Sequence, residues 1–290
     1  MQIAHGDETE VKVVQGGVRT GTIGMQYLLF GDPNSAGMFK FGLFRQSEGF
    51  FSPRHRHNFC QFRIQLDGQC EYGLSGKMPT GTIGYFPEGA YYGPQGPDVG
   101  DTFNATLQFG GPSGQGMVTI EQTAAAKKEL DKIGVFKDGV FHRNPDVPGK
   151  RNMDGFEAVW EQVTGKELVY PEPQYPAPVV MLPQNYDWRR VPGAQGVELK
   201  TLGVFTDCQI PCAIYRLAPG ASHSFDGRCV LLVTSGRGAV EGNIYRKYTA
   251  LYLDTGEAAR FKADLATEIV LLGLPDVAAM ARTVVTEAAE

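Results

Sequence analysis

Between residues 10 and 112 the chain runs as short apolar or aromatic stretches broken by Gly, Pro, Asn and Asp. They are VKVV, MQYLLF, MFKFGLF, FRIQL, CEYGL, TIGYF and NATLQF. Strands of this length at this spacing predict a sandwich or barrel. In QFRIQL the parity is clean: Gln61, Arg63 and Gln65 share a polar face, and Phe62, Ile64 and Leu66 an apolar one. The period then changes. Ile120–Gly134 (IEQTAAAKKELDKIG) and Asp154–Lys166 (DGFEAVWEQVTGK) have helical composition, and a Pro-rich stretch, VYPEPQYPAPVVMLP, reads as an extended connector. From Val197 the strand pattern returns in VELKTLGVF, CAIYRL, CVLLVTSG, YTALYL and EIVLLGL. The expected architecture is all-β, with two barrels at 10–115 and 196–282 joined by a helical and Pro-rich connector at 116–195.

Composition narrows the function. The 290 residues are 42% hydrophobic and 20% charged, as in a folded globular protein, and 37 Gly with 18 Pro favour many turns. The net charge is −5 with no Lys/Arg block, so nucleic acid is not the expected partner. No run of about 18 apolar residues predicts a membrane span. The start, MQIAHGDETEVKVV, shows no basic segment leading into an apolar one, and five cysteines make no disulfide framework. A cytoplasmic, reducing location is the expectation. Cys208 and Cys212 stand at C-x3-C spacing without a second pair, and read as ordinary strand or turn thiols.

The stretch GFFSPRHRHNFCQFRIQLDG, Gly49 to Gly68, carries the candidate chemistry. If it is strand, His55 and His57 project together, with Arg54 and Arg56 opposite. Two imidazoles make half of a metal site. Gln61 offers a neutral amide oxygen, as a ligand or as a hydrogen-bonding neighbour of one. Arg63 needs an anion, from Asp67, Glu71 or another internal acid, or from a substrate.

These residues resemble the cupin superfamily. Its first motif is Gly, five residues, His-x-His, three or four residues, Glu, six residues, Gly. Here Gly49, His55, His57, Gln61 and Gly68 keep every spacing, with Gln at the Glu position. The second motif is met by Gly81, Pro87, Gly89 and then Tyr92 at the last ligand position, where His is usual. The second half carries a weaker echo in His223, Phe225, Cys229, Gly236, Asp254, Gly256 and Ala259. The resemblance implies a bicupin of double-stranded β-helix, or jelly-roll, barrels, the first with an altered ligand set and the second degenerate.

It also implies one divalent first-row metal (Fe, Zn, Ni or Mn) on His55, His57, Gln61 and Tyr92. Phe59, Arg63, Gln65, Tyr85, Tyr91, Asn104 and Gln108 are the candidate substrate-binding residues, with Arg63 and Tyr92 also the catalytic candidates. The leading expectation is a metal-dependent enzyme on a small anionic, aromatic or enolic substrate, with dioxygenase-like chemistry. Isomerase, cyclase or lyase chemistry is one alternative, and a non-catalytic binder or structural bicupin is another. Homodimer formation is expected by analogy with cupins, which commonly pair through exposed strands.

Overall fold

The computed structural model describes residues 1–276, apart from residues 16–17, 48, 74–75, 97–100 and 206–208. Cys208 therefore lies outside the described residues. The strands before the first helix are β1 (Gln2–His5), β2 (Lys12–Gln15), β3 (Thr22–Phe30), β4 (Phe39–Gln46), β5 (Phe59–Asp67), β6 (Gln69–Glu71), β7 (Lys77–Pro79), β8 (Ile83–Phe86) and β9 (Thr102–Gly110). Helix α1 (Ile120–Leu130) and β10 (Gly134–Lys137), β11 (Val140–Arg143) and β12 (Asn152–Asp154) follow, then α2 (Gly155–Thr164) and β13 (Val179–Met181). The second half holds β14 (Arg189–Arg190), β15 (Val197–Phe205), β16 (Ile210–Leu217), β17 (Ser222–Asp226), β18 (Cys229–Ser235), β19 (Arg237–Val240), β20 (Asn243–Arg246), β21 (Thr249–Leu253), β22 (Ala258–Ala263) and β23 (Thr267–Gly273).

Two seven-stranded sheets dominate, ordered β13-β8-β5-β9-β4-β3-β2 and β1-β21-β18-β23-β16-β15-β14. Strands cross between the parts of the chain: β1 pairs antiparallel with β21 of the second half, and β13 of the connector with β8 of the first. A four-stranded sheet, β17-β22-β19-β20, faces the second large sheet, and the hairpin β6-β7 belongs to the first half. The expected all-β, two-barrel architecture is what the chain adopts.

Side-chain parity decides what each barrel encloses. Phe62, Ile64, Leu107 and Phe109 point away from the first barrel's interior. They merge with Phe205, Ile210, Val230, Leu232, Val270 and Leu272 in one apolar core between the sheets. Phe62 and Tyr85 meet Phe205 with ring centroids 5.4 and 4.1 Å apart. Each such buried side chain contributes about 1.5–3 kcal/mol, so the two barrels stabilise one another. The second barrel also encloses its own apolar core, including Phe225, Leu231, Val233, Tyr245, Leu251, Phe261 and Ile269.

The connector is more structured than its composition suggests. Helix α1 begins with a capping box between Thr119 and Gln122, and α2 with Asp154 capping Phe156 and Glu157. Between them β10, β11 and β12 form a small sheet that the helical reading did not predict. Its hairpin turns at Asp138-Gly139, both at positive φ, the Asp-Gly signal of a tight β-turn. Among the described residues no helix is long and apolar enough to cross a membrane.

Candidate functional site

The histidine pair does not sit in a strand as parity required. Residues 53–58 are irregular, and β5 begins only at Phe59. Convergence comes from a local bridge instead: His55 and Tyr92 exchange two backbone hydrogen bonds of 2.9 Å each. The Gly89 amide donates to the His57 carbonyl at 2.9 Å. Gly89 holds φ +78°, and a Cβ there would lie 2.4 Å from the Pro171 carbonyl oxygen, so glycine alone fits. The His55 and His57 rings come within 4.9 Å of each other, and those of His55 and Tyr92 within 4.4 Å.

From β5 onward parity holds. Gln61, Arg63 and Gln65 face the interior and are buried, beside Asn104 and Thr106 on β9. Gln108 stands opposite Gln61, Thr106 opposite Arg63, and Asn104 opposite Gln65. Gln61 Nε2 donates to the Tyr92 hydroxyl at 2.9 Å, and Thr106 Oγ1 to Asn104 Oδ1 at 2.8 Å. Gly84 pairs with Arg63 across β8, and a Cβ there would meet the Phe86 ring at 2.8 Å. That ring lies under the guanidinium, 4.8 Å from Arg63 Cζ.

Burial sets the charge state. It pushes His55 down to about 3, helped by the positive charge of Arg19, and holds His57 well below its ordinary value. Both imidazoles are neutral at pH 7. Burial pushes Tyr92 up to about 12, against the opposing effects of Arg63 and the Gln61 amide, so it remains a phenol. Arg63 is 8% exposed, makes no ion pair among the described residues, and has no partner for Nε. Asp67 and Glu71, the acids considered for it, do not supply one.

The donor set fits a divalent cation at the histidines. A contact of 2.6 Å joins His55 Nδ1 to the Pro53 carbonyl, which can only accept, so Nδ1 carries the proton and Nε2 keeps its lone pair. His57 Nδ1 is buried without any partner. Among the described residues no three His, Cys, Asp or Glu side chains converge as a metal site. Oxygen donors would have to be the neutral Gln61 and Tyr92. Such a donor set would carry no negative charge.

Phe59 stacks on His57 with centroids 4.3 Å apart, beside the histidine pair. Two other aromatic candidates fall elsewhere. Tyr85 is fully buried in the core between the sheets, with its hydroxyl on Cys60 Sγ at 3.3 Å. It pairs with Phe62 rather than Gln61, which puts it on the apolar face. Tyr91 is 42% exposed and lies under Arg54 and Arg56 on the surface. Its neighbour Tyr92 points inward, so Tyr91 points out.

Several contributors have no clear sequence signal. Phe156, from the first turn of α2, meets His57 edge-on at 4.6 Å and Phe59 at 5.5 Å, closing the aromatic wall. Arg19 pairs with Asp154 at 3.0 Å, and both charges act on His55 and Tyr92. Lys40 lies on β4, whose inward face only its pairing reveals. It pairs with Gln108 on the inward register, donates to the Val118 carbonyl at 3.2 Å, and is brought down to about 8 by burial. In the second barrel, His223 stacks on Tyr215, with centroids 5.1 Å apart, and has no histidine neighbour.

No protein-family model matches the sequence, and no curated protein is significantly similar to it. Solved structures are similar across nearly the whole chain. A candidate dioxygenase from Nostoc punctiforme aligns with a TM-score of 0.62 at 10% identity, over 94% of this chain and 82% of that one. The chain has a two-domain cupin fold. Quercetin 2,3-dioxygenase from Acinetobacter baumannii aligns with this chain at a TM-score of 0.52 and 14% identity, over 96% and 86% of the two chains. Oxalate decarboxylase from Bacillus subtilis aligns at 0.54 and 14%, over 95% and 76%. At these identities the likeness establishes the fold alone, and the chemistry has to be read from the site.

Proposed function

We propose that the first barrel, residues 10–115, is the active unit of a metal-dependent enzyme acting on a small anion with an aromatic or enolic body. Dioxygenase-type chemistry is the leading reaction class, and the second barrel acts as its scaffold. The observation that carries the reading is Arg63, a buried guanidinium without an acid, on the same interior face as Gln61. Stacking over Phe86 and a hydrogen bond with the Cys70 thiol offset about 1–2 kcal/mol of its desolvation, against several kcal/mol for a buried charge without an acid. An anionic ligand supplies the missing partner. It would also neutralise a cation held by uncharged donors.

His55 and His57 would hold the metal, with Gln61 Oε1 or the Tyr92 oxygen beside them. Bound there, iron would supply O2 activation, and zinc, nickel or manganese Lewis acidity. Arg63 fixes the substrate anion. Phe59 and Phe156 exclude water and pack against its apolar body. Tyr92, kept protonated by burial, has a proton to give at its hydroxyl, a role that suits an isomerase or lyase equally well. The alternative of a non-catalytic binder is favoured by one observation, the hydrogen bond from Gln61 Nε2 to the Tyr92 hydroxyl, which engages a lone pair of the phenol oxygen with a protein donor.

Elemental analysis of the purified protein separates these readings. The enzyme reading expects near-stoichiometric first-row metal, lost in His57→Ala with unfolding nearly unchanged. Equal metal content in the two proteins would exclude a histidine-held metal and favour the binder.

A further inference from the structure

Where the connector closes against the first barrel, a lysine stands in a place that suits a cation poorly. Lys40 on β4 is half-buried and pairs with Phe30 of β3. Its Nζ lies at the N-terminal end of α1, donating to the Val118 carbonyl at 3.2 Å. That end of a helix carries the positive pole of the helix dipole, where an acid is favoured and an ammonium is not. Lys40 makes no ion pair among the described residues. Glu121 is the acid that acts on it, but the Glu121 carboxylate is engaged by its own backbone N–H and by the Thr119 hydroxyl. Lys12 of β2 draws on the same carboxylate, and His57, which also feels Lys40, is neutral. Burial brings Lys40 down to about 8. The single contact with a carbonyl uses one N–H and leaves the lone pair of the neutral amine free.

This amine borders a cavity. Lys40 lines about 200 Å³ together with Phe30, Pro33, Met38, Thr119 and Ile120. Phe30 is 43% exposed and Glu121 is exposed too, so the cavity is open to solutes between β3 and α1. None of the metal or substrate candidates of the histidine site lines it. Its walls are mainly apolar, which leaves an ammonium poorly hydrated and suits an apolar ligand. Desolvation in an apolar pocket is one of the ways in which a lysine becomes a nucleophile. We propose that Lys40 is a nucleophilic amine whose cavity takes a small apolar aldehyde and binds it covalently as an imine. The Nζ lone pair forms the C–N bond while the carbonyl π pair moves to oxygen. Both amine protons end on that oxygen, which leaves as water as the C=N bond forms. The step needs neither oxidant nor reductant, and it is independent of a metal at the histidines.

The test is reductive trapping on the full-length protein, with benzaldehyde or formaldehyde and cyanoborohydride, read by peptide mass spectrometry. At early times benzaldehyde should label Lys40 at least about tenfold faster than Lys132, whose side chain is 61% exposed. The Lys40 rate should reach half its maximum at about 8 on the pH scale, well below that of an ordinary lysine. Formaldehyde, too small to use the walls, should show a smaller preference for Lys40. Lys40→Arg should remove the fast adduct and leave the Lys132 adduct unchanged. Labelling in urea should erase the preference in the wild type, a control that does not depend on the variant folding. Lys40 labelled no faster than Lys132 in the native protein would overturn the proposal. An equal preference with both aldehydes would overturn it as well, because the cavity would then play no part.

Discussion

The two barrels share one sheet order and enclose opposite interiors. In the first, β5 turns Gln61, Arg63 and Gln65 inward, and β9 adds Asn104 and Thr106. In the second, the strand at the matching place, β18, turns Cys229, Leu231 and Val233 inward, and β23 adds Ile269. Both sheets bury their other faces in the common core. The second barrel is thus apolar on both faces of its main sheet. The first is apolar only where it meets its neighbour. A domain of this size is only marginally stable, and a polar interior makes it more so. The first barrel can keep one because its outer face packs on a partner with a core to spare. The difference teaches where to look for function: the interior that folding alone does not explain.

Breaking the scaffold should have the largest effect. Leu231→Ala, inside the second barrel, should destabilise by about 2–5 kcal/mol, as deletion of a fully buried leucine does. Because the barrels share a core, both should unfold in a single urea transition, followed by fluorescence and circular dichroism. Two separated transitions would show that the barrels do not depend on each other.

Acid should expose the same asymmetry more mildly. His55 is held at about 3 and His57 well below its ordinary value, both by burial. The unfolded chain therefore binds protons that the native state refuses as pH falls below about 6.5. Stability is full above that pH and declines towards pH 3, by at most about 1.4 kcal/mol per pH unit per histidine. His223 of the second barrel, only partly buried, adds less. Urea midpoints measured from about pH 6.5 to 4.5 should fall less steeply in His55→Gln than in the wild type. Parallel slopes would mean that the pair is not held neutral.

Much of this was legible in the sequence, where local spacing controls geometry. Gly49, Gly68, Gly81 and Gly89 of the two motifs all adopt positive φ, so the glycine pattern marked real turns. The same spacing brought His55, His57 and Tyr92 together although the histidines are not in a strand. Parity grouped Gln61, Arg63 and Gln65 on one strand and Asn104 and Gln108 on another; that both groups face one interior comes from how the strands pair. Parity would have excluded Tyr85 had the pairing of Tyr85 with Phe62 been known, but register between strands is not written in either one alone. Phe156 was beyond reach for another reason. Its contact with His57 depends on how α2 docks across the barrel, which is a tertiary event with no local signature.

We infer that the first barrel holds its polar interior for a ligand, at some loss of stability. Arg63→Met tests it most directly, through thermal unfolding with and without a small aromatic carboxylate such as benzoate. Removing an unpaired buried charge should leave the ligand-free protein more stable by about 1 kcal/mol. The stabilisation that benzoate gives the wild type should disappear, because affinity falls about ten- to a hundredfold. A ligand-free variant destabilised by several kcal/mol, or one still stabilised by benzoate as the wild type is, would contradict the account.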